Sequence, residues 1–312
     1  MRAAAWLGVV GGVLVALSPQ GAEAAERSYL GVGASRMEMS NGDEFDRKYV
    51  MEPTLIRSVK FSWDKKDVAG LFGDIGIDED NRLRDLTLGL IIGDHLVHVE
   101  RGRIRGDIEC EDADDAFCNP RPDTFDNRYL SVNLIEYSGG IGGVSWGYGF
   151  QKYAIPRVFE YGDGTISGPQ LQDDAMQVYN LGIGLYSDPV RNFLVDSDAG
   201  NGAKHQFYGA TITTYGLSVA QTSDAPDLKE YGVDGETFLG AGMAGKLEAG
   251  WFSGYRGDHW SVALNIGYRV QMHMFFDPIT SWNAGDPDEG EIQLGVAYLL
   301  MHGPTAQIQG SF

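Results

Sequence analysis

Five arginines fall at alternate positions of two neighbouring stretches, Arg82 and Arg84 in the first and Arg101, Arg103 and Arg105 in the second. Successive side chains of a strand point to opposite faces, so residues two apart share one. A row of guanidinium groups on one face is suited to phosphate oxygens, because each presents a planar fork of donors. A second constellation is His259-Trp260-Ser261, which puts a histidine and a serine on the same face of a strand. A nucleophilic serine needs such a base within hydrogen-bond reach, together with an orienting acid and oxyanion donors. Residues two apart on a strand lie ~6.6 Å apart at their backbones, so the pair need not touch. The remaining candidates are weaker. His95 and His98 point to opposite faces and do not make a metal site. Arg256-Gly257-Asp258 matches an adhesive tripeptide and reads as a turn. Asp286, Asp288, Glu289 and Glu291 read as a solvated acidic loop, with low-affinity Ca²⁺ binding as the alternative. No glycine-rich phosphate loop or dinucleotide fingerprint opens a helix, so "GVGASR" is strand glycine and no cofactor is expected.

The elements that must position these residues follow from composition. The formal net charge is -20, which argues against nucleic-acid binding. Glycine is 43 of 312 residues, about twice the usual share. Glycine-rich segments with Tyr, Trp, Val and Ile, and no long helical windows, favour strands with close backbone approaches. Arg2, the apolar run Leu7 to Leu17 and the small residues Ala22 and Ala24 read as an export signal over residues 1–24. That leaves 25–312 as one mature all-β unit. Cys110 and Cys118 enclose a short acidic loop, and in an exported protein two such cysteines are expected to pair as a disulfide rather than bind metal.

Strand alternation is clearest over residues 259–276. One parity carries Trp260, Val262, Leu264, Ile266, Tyr268, Val270, Met272, Met274 and Phe276; the other is largely polar or small. Similar rows recur at Tyr179/Leu181/Ile183/Leu185 and Ile292/Leu294/Val296/Tyr298/Leu300, and more briefly at Leu130/Val132/Leu134, Leu247/Ala249/Trp251 and Val59/Phe61/Trp63. The length of these rows suits tilted strands that cross a bilayer, and aromatic residues such as Trp260, Tyr179, Tyr298 and Trp63 cap several of them, as in interfacial girdles. The chain closes "PTAQIQGSF" on Phe312, and a terminal aromatic on a final strand resembles the assembly signal of Gram-negative outer-membrane β-barrel proteins. That resemblance implies residence in the cell outer membrane, contact with its lipids and delivery by an outer-membrane assembly machinery. Lipid leaves no water for a free strand edge, so the sheet is expected to close as a transmembrane antiparallel up-and-down β-barrel of about twelve strands, between ten and fourteen. Acidic connections are expected near 40–48, 78–82, 109–126, 155–175, 222–235 and 277–289. One irregularity is expected, a bulge or turn where the alternation changes phase between Ile212 and Leu217; a turn at His302-Gly303-Pro304 would clash with short turns lying only on the periplasmic side.

On this plan the arginines acquire a context. A two-residue hairpin at Gly93-Asp94 sets Leu90 opposite Val97, Leu88 opposite Val99 and Leu86 opposite Arg101, then Arg84 opposite Arg103 and Arg82 opposite Arg105. Like charges opposite one another repel, so an anion is expected: either lipopolysaccharide phosphates at the outer rim, or carboxylates such as Asp80, Asp85, Glu100 and Asp107. The His-x-Ser pair is similar to that of outer-membrane lipid A deacylases, but no acid follows at comparable spacing and the chain is much longer. The expected function is therefore non-enzymatic, a porin-like passive channel or a structural barrel, with a surface-interaction barrel using acidic loops as the alternative.

Overall fold

The structure, a computed structural model, describes residues 26–43, 48–65, 69–109, 124–136, 144–154, 176–195, 200–222, 237–276 and 296–312. Twelve strands follow in chain order: β1 (Glu26–Asp43), β2 (Lys48–Lys65), β3 (Ala69–Ile77), β4 (Leu83–Ile92), β5 (His95–Glu109), β6 (Thr124–Glu136), β7 (Ser145–Ala154), β8 (Met176–Ser187), β9 (Gly202–Thr222), β10 (Thr237–Arg256), β11 (Ser261–Phe276) and β12 (Val296–Ser311). A helix of seven residues, α1 (Pro189–Val195), lies between β8 and β9. Each strand pairs antiparallel with its sequence neighbour, and β1 pairs with β12, so the sheet closes. The strand ends that flank 44–47, 78–82, 110–123, 155–175, 223–236 and 277–295 lie towards one end of the barrel. Those that flank 66–68, 93–94, 137–144 and 257–260, with Glu26 and Phe312, lie towards the other. In outer-membrane barrels short turns are periplasmic and longer loops extracellular, which orients the molecule.

The alternation of the sequence becomes inside and outside. On β11, Val262, Leu264, Ile266 and Tyr268 are exposed, while Ser261, Asn265, Gln271 and His273 are buried. On β12 the buried parity is Thr305, Gln307, Gln309 and Ser311, and Ile308 faces out. Phe207 and Leu217 each keep 81% of their surface exposed. A soluble protein rarely exposes so continuous an apolar surface; a lipid-facing wall requires it. The chain is a transmembrane β-barrel of the outer-membrane kind.

The apolar rows differ in height around the wall. On β11 the outward row runs from Val262 to Phe276; on β7 it runs only from Trp146 to Phe150 before Lys152. The β3–β4 hairpin is also short, and above it β2 and β5 join directly, Val50 opposite Glu109 and Met51 opposite Ile108. The turn at 78–82 is therefore set within the wall, beneath that junction.

Several expectations change here. The hairpin register is as read, Leu90 opposite Val97, Leu88 opposite Val99 and Leu86 opposite Arg101, but β4 leaves β5 after Asp85 meets Gly102. A bulge at the same place shifts β3 against β4 between Gly76 and Ile77, so Arg84 and Asp85 are both buried. Arg84 does not face Arg103, nor Arg82 Arg105, because β4 ends below the rim. The segment 212–217 contains neither bulge nor turn: β9 keeps one register along β10. Ile212 points inward and packs on a lumenal apolar cluster of Phe72, Ile91, Leu96, Ile135 and Tyr186. His302, Gly303 and Pro304 lie within β12, and the ladder to β1 omits only the two rungs at Pro304 and Gly303. Proline has no N–H to donate there. Residues 1–24, Cys110 and Cys118 lie outside the described residues.

Candidate functional site in the barrel lumen

Helix α1 folds back into the periplasmic mouth. Asp188 caps it, its Oδ1 accepting the Arg191 N–H at 3.0 Å, and Pro189 occupies the first helical position, where no N–H is needed. Val190, Phe193 and Leu194 are buried against Tyr29, Tyr208, Phe252 and Ala263, residues of β1, β9, β10 and β11. The wall also holds the helix by its carbonyls. Arg256, fully buried, donates to the Phe193 carbonyl at 2.8 Å, and the Ser261 hydroxyl donates to that of Leu194 at 3.4 Å. Arg191, 1% exposed, pairs with Asp64 of β2 and places its guanidinium 4.8 Å from the centre of the Phe72 ring. A helix this short has little stability of its own; these contacts with six strands fix it as a plug.

Above the plug lies a cavity of about 110 Å³ bordered by Tyr29, Lys60, Asp74, Glu100, Lys246 and Arg269, among others. Its charges are interleaved. Lys60 lies 3.8 Å from Asp74, and Arg269 lies 2.7 Å from Glu248, which also accepts from Tyr208 at 2.6 Å. Lys246 of β10 spans the lumen to Glu100 of β5 at 2.8 Å and to Asp85 of β4 at 3.8 Å. Glu100 also accepts the Tyr129 hydroxyl at 2.7 Å. Three cations thus meet four carboxylates inside a wall that faces lipid, where pairing offsets the cost of removing charge from water.

Nearer the extracellular end the walls touch. Gln151 of β7 donates to the Ala244 carbonyl of β10 at 2.7 Å, and Tyr153 donates to the Met274 carbonyl of β11 at 2.6 Å. Asn180 links to Gln151 and to the Thr214 carbonyl, and Thr214 donates to Asn133 at 2.7 Å. Inward-facing glycines permit this approach. A methyl group at Gly149 would stand 2.1 Å from Thr214 Oγ1 and 2.4 Å from Asn133 Oδ1. The Thr214–Asn133 bond thus joins β9 to β6 across the glycines of β7 and β8.

The residues singled out in the sequence are dispersed. Arg82 is exposed and pairs with Asp80 at 3.2 Å. Arg84 is buried 3.7 Å from Asp78 and donates to the Arg103 carbonyl at 3.4 Å. Arg101 is exposed on the outer face and Arg103 is half-buried there. Arg105 belongs to β5, and its side chain lies outside the described residues. Ser261 faces inward, hydrogen-bonded to Ser311, whereas His259 is exposed in the preceding turn. His95 is exposed and His98 buried, on opposite faces as read. A histidine–serine contact does exist elsewhere: His205 Nδ1 and Ser253 Oγ are 2.8 Å apart on exposed positions of β9 and β10. Of the lumenal charges, Asp85 and Glu100 are named from sequence, as partners for the arginines, whereas Lys60, Asp74, Lys246, Glu248 and Arg269 are passed over. Their signal was present in the polar parity, where Lys246 and Glu248 flank the outward Leu247.

No family model matches the chain, and no curated protein matches its sequence. Among solved structures it is similar to the outer membrane protease OmpT from Escherichia coli, at 8% identity over 95% of this chain and 99% of that one, with a TM-score of 0.31. It is also similar to the outer membrane protein OprG from Pseudomonas aeruginosa, at 11% identity over 95% and 99%, with a TM-score of 0.24. The monoaromatic hydrocarbon channel TodX matches at 8% identity over 93% and 90%, with a TM-score of 0.26. The barrel rests on its own strand pairing, and these likenesses say nothing of activity.

Proposed function

We propose that this protein is a structural barrel of the outer membrane whose lumen is shut to bulk hydrophilic solutes at rest. The observation that carries this reading is the pair of bonds across the lumen, Gln151 to the Ala244 carbonyl and Tyr153 to the Met274 carbonyl. A wide diffusion pore of the porin kind keeps facing walls apart with water between them; here they bond directly. The plug α1 supports the same reading. A non-enzymatic role is supported by the separation of His259 from Ser261, which leaves that serine bonded to Ser311 instead of to a base.

A second reading, a narrow ion path, is favoured by the mixed-charge cavity above α1. One experiment separates the two. Purified protein in planar bilayers is expected to leave the baseline current unchanged in symmetrical potassium chloride, and proteoliposomes are expected not to swell in isotonic sugar. Steady single-channel steps without swelling would favour the ion path, and swelling would sink the closed barrel.

A further inference from the structure

We infer that the outer face of β5–β7 binds the phosphate groups of an outer-leaflet lipid through Arg101, Arg103, Arg128 and Lys152. Arg101 stands opposite Leu130, and Leu130 opposite Lys152, so these three form one rung across three strands. On the next rung towards the extracellular end, Arg103 stands opposite Arg128. Arg101, Arg128 and Lys152 are exposed and Arg103 is half-buried. Adjacent strands are ~4.8 Å apart, so the outer cations of the first rung sit about 10 Å apart with the Leu130 side chain as an apolar floor between them. Like charges directly opposite weaken a sheet, and two arginines face each other here.

The occupant follows from what lies below. Towards the periplasm the same three strands present Val97, Val99, Val132, Leu134, Tyr148 and Phe150 outward. A cationic cluster directly above an apolar strip matches an amphiphile with acyl chains below and a phosphate above. Guanidinium forks suit phosphate oxygens, and long stems let the charges reach the polar edge of the bilayer. Lys152 is steered by its neighbour, its ammonium standing 5.3 Å from the centre of the Tyr179 ring. The site thus has the ligand chemistry expected of the arginine row, on a partly different set of residues that keeps Arg101 and Arg103. Arg82 and Arg84 leave it, because they pair with Asp80 and Asp78; Arg128 and Lys152 join it.

The test uses the full-length protein in phosphatidylcholine vesicles doped with bisphosphorylated lipid A or with the same lipid stripped of its phosphates. After mild detergent extraction, native mass spectrometry counts the lipid retained per barrel. Wild type is expected to retain the phosphorylated form and not the stripped one. The triple variant Arg101→Gln, Arg128→Gln, Lys152→Gln is expected to retain it at least about tenfold less, since it removes three charge-assisted contacts to phosphate. Lys204→Gln, on an exposed residue at the periplasmic end of β9, is expected to behave as wild type. Equal retention of both lipids by wild type would overturn the inference whether or not the triple variant folds. So would unchanged retention by a folded triple variant, or complete displacement by millimolar inorganic phosphate, which would mark a site for soluble anions.

Discussion

Arg191 of the plug helix and Asp64 of β2 form an ion pair inside the periplasmic mouth, with the guanidinium also packed on the Phe72 ring. One contact therefore ties a seven-residue helix to the opposite side of the barrel from its own chain neighbours, β8 and β9. Breaking a fully buried pair by removing one partner costs about 3–5 kcal/mol. Asp64 keeps some exposure, so Arg191→Ala is expected to cost about 2 kcal/mol. The midpoint of heat-induced unfolding, read by the mobility shift of the folded barrel on gels, measures it. Protease access from the periplasmic side near Asp188 should rise in the same variant.

The wall-to-wall bonds near the extracellular end act differently. Tyr153→Phe removes one donor and leaves the Met274 carbonyl, and Gln151→Ala frees the Ala244 carbonyl. Each is expected to cost about 1 kcal/mol. If these bonds hold the walls together, the double variant should show conductance in planar bilayers where wild type shows none. A silent double variant of normal stability would locate the block in α1 alone.

Lys246 neutralises Glu100 and Asp85 from across the lumen. Lys246→Met is expected to destabilise the barrel by about 2–4 kcal/mol, through carboxylates left without their cation in a low-dielectric interior. Adding Glu100→Gln should recover part of that loss. Urea unfolding of wild type, the two single variants and the double variant in detergent measures the coupling, and simple additivity would show that the pair does not interact.

Gly149 is needed for its missing side chain, not for its backbone freedom. Gly149→Ala would drive a methyl group into the Thr214–Asn133 hydrogen bond. Overpacking of this kind costs about 1–3 kcal/mol. Thr214→Ala, which removes one side of the clash, should restore part of the loss when combined with it. Thermal midpoints of the single and double variants check the expectation.

Much of the wall was legible because lipid enforces a period of two. The hairpin at Gly93-Asp94 keeps the register read from its residues as far as Leu86 and Arg101, and the two faces of β11 divide as the alternation from Val262 to Phe276 says. Twelve strands match the expected number, and the long connections fall where acidic stretches were noted. What strict alternation hides is the place where it is interrupted. Leu83 and Leu86 both turn away from the lumen although they are three residues apart, which marks the bulge that buries Arg84. An arginine row that follows strict alternation runs across that break. Ile212 misled for the opposite reason: an apolar residue signals lipid only if the lumen holds none, and this lumen has an apolar cluster. The plug was signalled by Asp188-Pro189, a cap and a helix start, but seven residues are too few to show a period. The cross-lumen bonds join residues far apart in sequence and depend on how closely facing strands approach, which no local pattern encodes.

The uneven height of the apolar rows has a consequence for the membrane itself. With strands tilted ~40°, the row from Val262 to Phe276 on β11 spans about 36 Å along the bilayer normal, whereas Trp146 to Lys152 on β7 spans about 15 Å. One flank can sit in hydrocarbon of ordinary thickness; the other can be matched only if the lipids beside it shorten or splay. Mismatch of this kind costs fractions of a kcal/mol per Å and acts on every lipid along the perimeter. The protein is then a wedge in the bilayer plane, with a thinned sector of membrane attached to one side of it, and neighbours with equally short apolar belts would be drawn to that side.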